Sequence, residues 1–316
     1  MPCNGVLFIQ KHPKGVVIMK NIIRIGTMLG ADAVPPLGQK LFDFGFECLA
    51  VGFGSRSYMS DMAVYEDRVM GTIADNDVKV SCLTCYSNLL GYEQDDEDGR
   101  KTWEALIDNA HRFGTDLVCG FAGRVPDMPI HENMARFAEI VTPLAKRAAD
   151  KGVRLAFENC SAGGNWWKGS YNIAHNPKAW EMMFNAVPMD NIGLEWEPCH
   201  QMVQLIDPIP QLKKYAKAGR IFHIHGKDAT IDWDAIKEHG IFSPDQWCWH
   251  RTPGFGDCNW ADIISILRMN NYQGNIDIEG YHDPVYREEF ETMGQVHALE
   301  YLKFARGGTY TPNIFG

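Results

Sequence analysis

Three acidic residues each close a short apolar run: Glu158 ends VRLAFE, Glu197 ends IGLEWE and Glu279 ends NIDIE. A fourth run, Arg220–Ala229 (RIFHIHGKDA), alternates His223, His225 and Lys227 with Phe222, Ile224 and Gly226. Successive side chains of a strand point to opposite faces. His223, His225 and Lys227 are therefore expected on one face, and Phe222 and Ile224 on the other. A polar face on a buried strand needs partners, because unpaired buried polar groups are costly. The three carboxylates are the available partners. Three carboxylates and one imidazole make a hard, oxygen-rich donor set. It suits Mn²⁺ or Mg²⁺, with Co²⁺ or Zn²⁺ tolerated, better than a thiolate-seeking ion. Glu195 shares the inward face of Glu197 and is a competing ligand. The structural alternative is a set of buried salt bridges with Arg154, Lys227 and His223.

The elements that must position these residues recur along the chain. Strand-like runs are Ile22–Met28, Glu47–Phe53, Val78–Cys85, Asp116–Phe121, Val153–Glu158, Asn191–Glu197, Arg220–Gly226 and Asn275–Glu279. Helix-like segments between them are Pro36–Phe44, Met59–Asn76, Asp98–Phe113, His131–Lys151, Asn176–Ala186, Pro208–Ala218, Trp260–Asn270 and Arg287–Ala305. Turn residues such as Asp150-Lys151-Gly152 and Ala218-Gly219 separate helix from strand. Eight strand–helix units without a composition break predict a single (β/α)8 TIM barrel over residues 19–306. Residues 1–18 read as an N-terminal extension and 307–316 as a C-terminal tail. A doubly wound open sheet is the alternative, but eight is the closing number. The carboxylates also sit at strand C-terminal ends, where barrel active sites form.

Two connections are long. Cys160–Ala174 carries Trp166, Trp167 and Lys168; Ile231–Cys258 carries Trp247, Trp249, His250 and Arg251. Long connections in a compact fold are usually functional. Aromatic faces with a few cations suit a polyol or sugar.

Charge and composition exclude other classes. A net charge of −10 over 316 residues argues against a nucleic-acid partner. No apolar run approaches the length of a membrane span. In the N-terminal residues the apolar run that follows Lys11, His12 and Lys14 is short and has no small-residue cleavage site, so a signal peptide is not expected. Nine dispersed cysteines read as reduced thiols of a cytoplasmic protein. Cys82 and Cys85 form a lone C-x-x-C without a second pair and read as core thiols.

LAFEN (Leu155–Asn159), IGLEWEPCHQ (Ile192–Gln201), FHIHGKDA (Phe222–Ala229), RTPGFGDCNW (Arg251–Trp260) and GNIDIEGYHDP (Gly274–Pro284) follow one another in a familiar order. Together they resemble the xylose-isomerase-like TIM-barrel superfamily, and within it the sugar phosphate isomerase/epimerase branch. The likeness spans roughly residues 20–306 and is dense after residue 150. It implies one divalent metal, Mn²⁺ first, held by Glu158, Glu197, His225 and Glu279. It implies a place near substrate or metal for His200 and substrate contacts from Lys227 and Asp228, beside the loop candidates Trp167, His250 and Arg251. The branch's strand-six motif reads Asp-Pro-Ser-His; here it is Glu197-Pro198-Cys199-His200. The extra methylene must be absorbed by the metal position, the carboxylate geometry or the backbone.

The implied activity is an isomerase or epimerase acting on a keto-sugar or related polyol. Glu158 and Glu279 would move a proton on opposite faces of one carbon, through a metal-stabilised ene-diolate. The rival is a lyase that shares this first step, either inosose-dehydratase-like or cleaving a 3-keto-glycoside or C-glycoside. The superfamily's DNA-repair endonuclease would need early histidine ligands. The first half offers only His12, His111 and His131, none at a strand end. A non-catalytic sugar-binding relative is the remaining reading. The implied partner is a small-molecule sugar, with no nucleic acid and no membrane, in a homo-oligomer.

Overall fold

The computed structural model describes residues 22–280, 282–309, 311 and 314. The N-terminal extension predicted over 1–18 lies outside them, as does most of the tail beyond 309. Ten strands are present among the described residues: β1 (Ile25–Gly30), β2 (Cys48–Gly52), β3 (Lys79–Thr84), β4 (Leu117–Gly120), β5 (Arg154–Glu158), β6 (Ile192–Trp196), β7 (Ile221–Gly226), β8 (Asp228–Ile231), β9 (Cys248–Arg251) and β10 (Ile276–Ile278). Eight of them close a barrel in the order β1-β10-β7-β6-β5-β4-β3-β2. Every neighbouring pair in it is parallel. Each predicted run supplies one barrel strand, so this is the (β/α)8 TIM barrel expected.

Alternation sorts the side chains. Leu155, Phe157, Ile192, Leu194, Trp196, Ile276 and Ile278 join the apolar layer between barrel and helices. The helices present matching stripes. Met134–Asp150 buries Phe137, Val141, Leu144, Ala145 and Ala148, the spacing of one helical face. Pro177 and Pro208 open the next long helices behind Asn176 and Asp207, whose side chains accept the backbone N–H of Ala179 and Ile209. Gly152, at φ 67°, turns the chain from Met134–Asp150 into β5. Cys82 packs with the barrel interior and Cys85 with the outer layer. Their offset of three on a strand sends them to opposite faces.

Two expectations need correction. Phe222 does not share the outer face of Ile224. The β6–β7 register slips between Leu194 and Glu195, so that Leu194 pairs with Ile221 and Glu195 with His223. Phe222 is the extra residue of this bulge. It packs with Ala50, Cys82, Cys119 and Ala156 of the interior. Gly193 makes the room, since a Cβ there would lie 2.6 Å from the Phe222 ring.

The segment Ile231–Cys258 is also not an open loop. β8 and β9 pair antiparallel from Asp228↔Arg251 to Ile231↔Cys248. Helix Trp233–His239 lies between them, capped by Asp232. The partners stand too far apart in sequence for a hairpin signal, which needs a two- to five-residue turn.

The last described helix is tied to the first strands at the barrel floor. The Arg306 guanidinium, 3% exposed, donates to Glu47 Oε1 at 2.9 Å and to the Ile23 carbonyl at 2.8 Å. Glu47 also accepts the Ile25 backbone N–H at 3.0 Å. This joins the last helix, Glu291–Ala305, to β1 and β2.

Candidate metal centre and active site

Four strand ends deliver the expected ligands to one place. Glu158 closes β5, Glu197 follows β6, His225 lies in β7 and Glu279 follows β10. One donor atom from each lies within 4.8 Å of every other, and all four residues are at most 5% exposed. His225 Nδ1 stands 3.2 Å from Glu279 Oε2 and 3.8 Å from Glu158 Oε1. His200, three residues past Glu197, places Nε2 2.8 Å from Glu197 Oε1 and 3.8 Å from Glu158 Oε1. Lys227 Nζ donates to Glu279 Oε1 at 2.7 Å and lies 3.9 Å from Glu197 Oε2.

The donor set fits a divalent cation. Glu197 Oε1, His225 Nδ1, Glu279 Oε2 and both ring nitrogens of His200 have no hydrogen-bond partner among the described residues. These atoms face one another at contact distance but without hydrogen-bond geometry. Buried carboxylates left this way are strongly disfavoured, and a divalent ion held by Glu158, Glu197, His225 and Glu279 would satisfy Glu197 Oε1, His225 Nδ1 and Glu279 Oε2 together. The longer Glu197 side chain hangs from a fixed backbone. Asn159 accepts its N–H at 2.8 Å and donates to its carbonyl at 2.9 Å.

A second layer lies beneath the ligands. Glu195, the competing candidate, points at the far side of the imidazole: its Oε1 is 3.1 Å from His225 Nε2 and 2.9 Å from His223 Nδ1. Tyr86 donates to Glu195 Oε2 at 3.1 Å. His223 Nε2 is 2.7 Å from Asp277 Oδ2, and Asp277 also accepts from Ser81 and from Cys48, the latter at 3.2 Å. Tyr86 escaped the sequence reading; Asp277 shares the inward face of Glu279 in the alternation of its strand but carried no site assignment.

The electrostatics follow from this packing. Burial raises the Glu158 carboxyl, and the charges of Glu197 and Glu279 push it further up. Burial works against Glu195, Glu197 and Glu279 too, but their cations win. His225 and His223 bring Glu195 down to about 2, Lys227 brings Glu279 to about 2, and His200 and Lys227 hold Glu197 well below the carboxylate range. Against its own burial, Glu197 raises His200 to about 9. Burial and then the Lys227 charge lower His250 to about 4, leaving it neutral.

The ligands open on a cavity of about 420 Å³ at the C-terminal mouth. Met28, Tyr86, Phe121 and Val203 form its apolar side; His200, Lys227, His250 and His282 stand on the polar side. His282 was missed, although Glu279-x-x-His282 repeats the spacing of Glu197-x-x-His200. A cavity of about 450 Å³ opens at the opposite mouth. None of the four ligands lines it, whereas Glu158, His225 and Glu279 line the C-terminal cavity, so the C-terminal cavity is the candidate.

Three expected substrate contacts are not brought to that cavity wall. Asp228 uses Oδ1 on the N–H groups of Ala229 and Cys258 and Oδ2 on the Trp260 indole. Arg251 Nε donates to Asp283 at 3.2 Å. Trp167 is 65% exposed and meets the edge of His131, because Asn165 Oδ1 accepts the N–H groups of Trp167 and Lys168 and turns the loop outward.

Comparison with known proteins bears on the family and the fold. The chain is 24% identical over 236 residues to inosose dehydratase of Clostridium beijerinckii, covering 67% of this chain and 72% of that one. Inosose dehydratases from Bacillus align over 54% to 58% of their own length. Among solved structures, D-psicose 3-epimerase of Clostridium cellulolyticum H10 with D-tagatose superposes with a TM-score of 0.67 at 14% identity, covering 90% of this chain and 99% of that one. A xylose isomerase-like TIM barrel protein of Mycobacterium smegmatis in complex with magnesium gives 0.65 at 16%, covering 90% and 98%. At these identities the structural likeness speaks for the fold alone. The decisive match is to a family model over residues 39–303, and by it this chain belongs to the xylose isomerase-like TIM barrel family.

Proposed function

We infer that this protein is a divalent-metal-dependent isomerase or epimerase acting on a keto-sugar or related polyol. The observation that carries the reading is the approach of Glu158 and Glu279 to one imidazole nitrogen, at 3.8 Å and 3.2 Å, from strands three steps apart around the barrel. They flank a cavity of a size that takes a small ligand. When bound by Glu158, Glu197, His225 and Glu279, the cation supplies Lewis-acid polarisation of the ketone and so acidifies the neighbouring C–H. Mn²⁺ is the ion best suited to three carboxylates and one imidazole.

Lys227 fixes the Glu279 carboxylate through the 2.7 Å contact and keeps it ionised. Glu279 takes the carbon-bound proton, and Glu158 returns one from the other side, inverting the centre. A single carboxylate serving two adjacent carbons would isomerise instead. His200 and His250 meet the substrate's hydroxyls, while Met28, Tyr86 and Phe121 exclude water from its C–H face. A homo-oligomer in the cytoplasm completes the reading; the unpaired thiols of the described cysteines support the compartment.

A lyase is the second reading, favoured by the likeness to inosose dehydratase. It uses the same proton abstraction and then expels a β-hydroxyl. Keto-hexoses and inosose in D₂O with Mn²⁺ separate the outcomes. Deuterium at one carbon with inversion identifies an epimerase, aldose formation an isomerase, and loss of water a dehydratase. Absence of exchange in every substrate would remove the proton-transfer reading.

A further inference from the structure

We propose that the barrel mouth carries a second, thiophilic cation site formed by Cys160, His200 and Glu158, beside the carboxylate centre and sharing Glu158 with it. The Cys160 sulfur, a ring nitrogen of His200 and a Glu158 oxygen lie within 4.8 Å of one another. His200 is 4% exposed, and neither ring nitrogen has a hydrogen-bond partner among the described residues. Nε2 stands 2.8 Å from Glu197 Oε1 and 3.8 Å from Glu158 Oε1 without hydrogen-bond geometry, and buried Nδ1 is left without the contact that burial demands. Cys160 is half-buried and lines the cavity. The Ala162 N–H donates to its sulfur at 3.2 Å, and Asn172 holds its carbonyl at 2.8 Å. The thiol is therefore held at the rim.

The two centres differ in chemical taste. Glu158, Glu197, His225 and Glu279 offer oxygen and one nitrogen. Cys160, His200 and Glu158 offer sulfur, nitrogen and oxygen, a set for zinc or cadmium. Three protein ligands leave an open position toward the cavity. A carboxylate bridging two cations is an ordinary two-metal arrangement. Binding converts the Cys160 thiol to a thiolate and releases its proton to solvent. Cys199 is a rival sulfur, since it groups with His200 and His250. It is fully buried, and its S–H donates to Glu197 at 3.3 Å. A cation on the soft site takes Glu158 away from proton transfer, so excess Zn²⁺ inhibits an enzyme activated by a harder ion. This last consequence, and the equivalent bound at the carboxylate centre, rest on the function proposed above; the sulfur site does not.

Cd²⁺ titration of the whole protein tests the site through stoichiometry and the thiolate-to-cadmium charge-transfer absorption. The wild type takes two equivalents and shows the absorption. Cys160→Ser takes one and loses it, His200→Gln loses the second equivalent, and Cys199→Ser keeps both. Wild-type protein without the absorption, or absorption retained in Cys160→Ser, would overturn the proposal. One equivalent with the absorption, lost in Cys160→Ser, would keep this site and remove the carboxylate centre. One equivalent without it would do the reverse.

Discussion

Glu195 Oε1 lies 3.1 Å from His225 Nε2, on the side of the ring away from the carboxylate cluster. His225 Nε2 is thereby committed to a carboxylate, and Nδ1 is left for the ligand cluster. Glu195 is itself fixed by His223 at 2.9 Å and Tyr86 at 3.1 Å. Replacing it with Gln keeps the shape and removes the charge. Metal affinity is expected to fall roughly 10- to 100-fold, measured by competition with a metal-binding dye. Unchanged affinity would separate Glu195 from the centre.

Glu158→Gln and Glu279→Gln each retain the fold and lose turnover, by about 10²-fold or more for the loss of a proton-transfer group. Steady-state rates with circular dichroism as the folding control check this. Full activity in both variants would rule out the assignment.

The orphaned atoms of Glu197, His200, His225 and Glu279 make the folded chain more stable with metal than without. A divalent ion at one hundred times its Kd contributes about 2.7 kcal/mol. Chelation should lower Tm, and Mn²⁺ should restore it. A melting curve indifferent to both would leave the cluster as a buried ion-pair network.

Burial raises the Glu47 carboxyl, but the Arg306 and Ile25 contacts outweigh it and leave the group below its ordinary value. A depressed folded value stabilises the protein above the unfolded pKa and is lost as pH falls through the folded one. Glu47→Gln should therefore destabilise by about 2 kcal/mol near neutrality. The difference from wild type should close as the pH drops below the ordinary glutamate range. Denaturant midpoints at several pH values measure it, and a gap that widens toward acid would refute the assignment.

At Gly193 a Cβ would meet the Phe222 ring at 2.6 Å and the Arg220 carbonyl at 2.8 Å. Gly193→Ala is expected to lose about 1–3 kcal/mol through overpacking, read from urea unfolding. Neutral stability would show that the bulge at Phe222 can relax.

The sequence determined the local pattern: eight apolar runs with period two, the helical stripes between them, and acidic residues at strand C-terminal ends. The pattern marked Glu158, Glu197 and Glu279 at strand ends and His223, His225 and Lys227 on one face, because polar residues on buried strands need partners; the family resemblance, not the pattern, singled out His225 among them. Only the tertiary structure decided what depends on register and on distant neighbours. The slip between β6 and β7 turned Phe222 inward, and the ribbon β8–β9 set Asp228 and Arg251 where their side chains engage Cys258, Trp260 and Asp283. Glu195 and Glu197 share a face in sequence, two residues apart. Barrel closure put one behind the His225 ring and the other in front of it, a difference of depth that no spacing along a single strand can express.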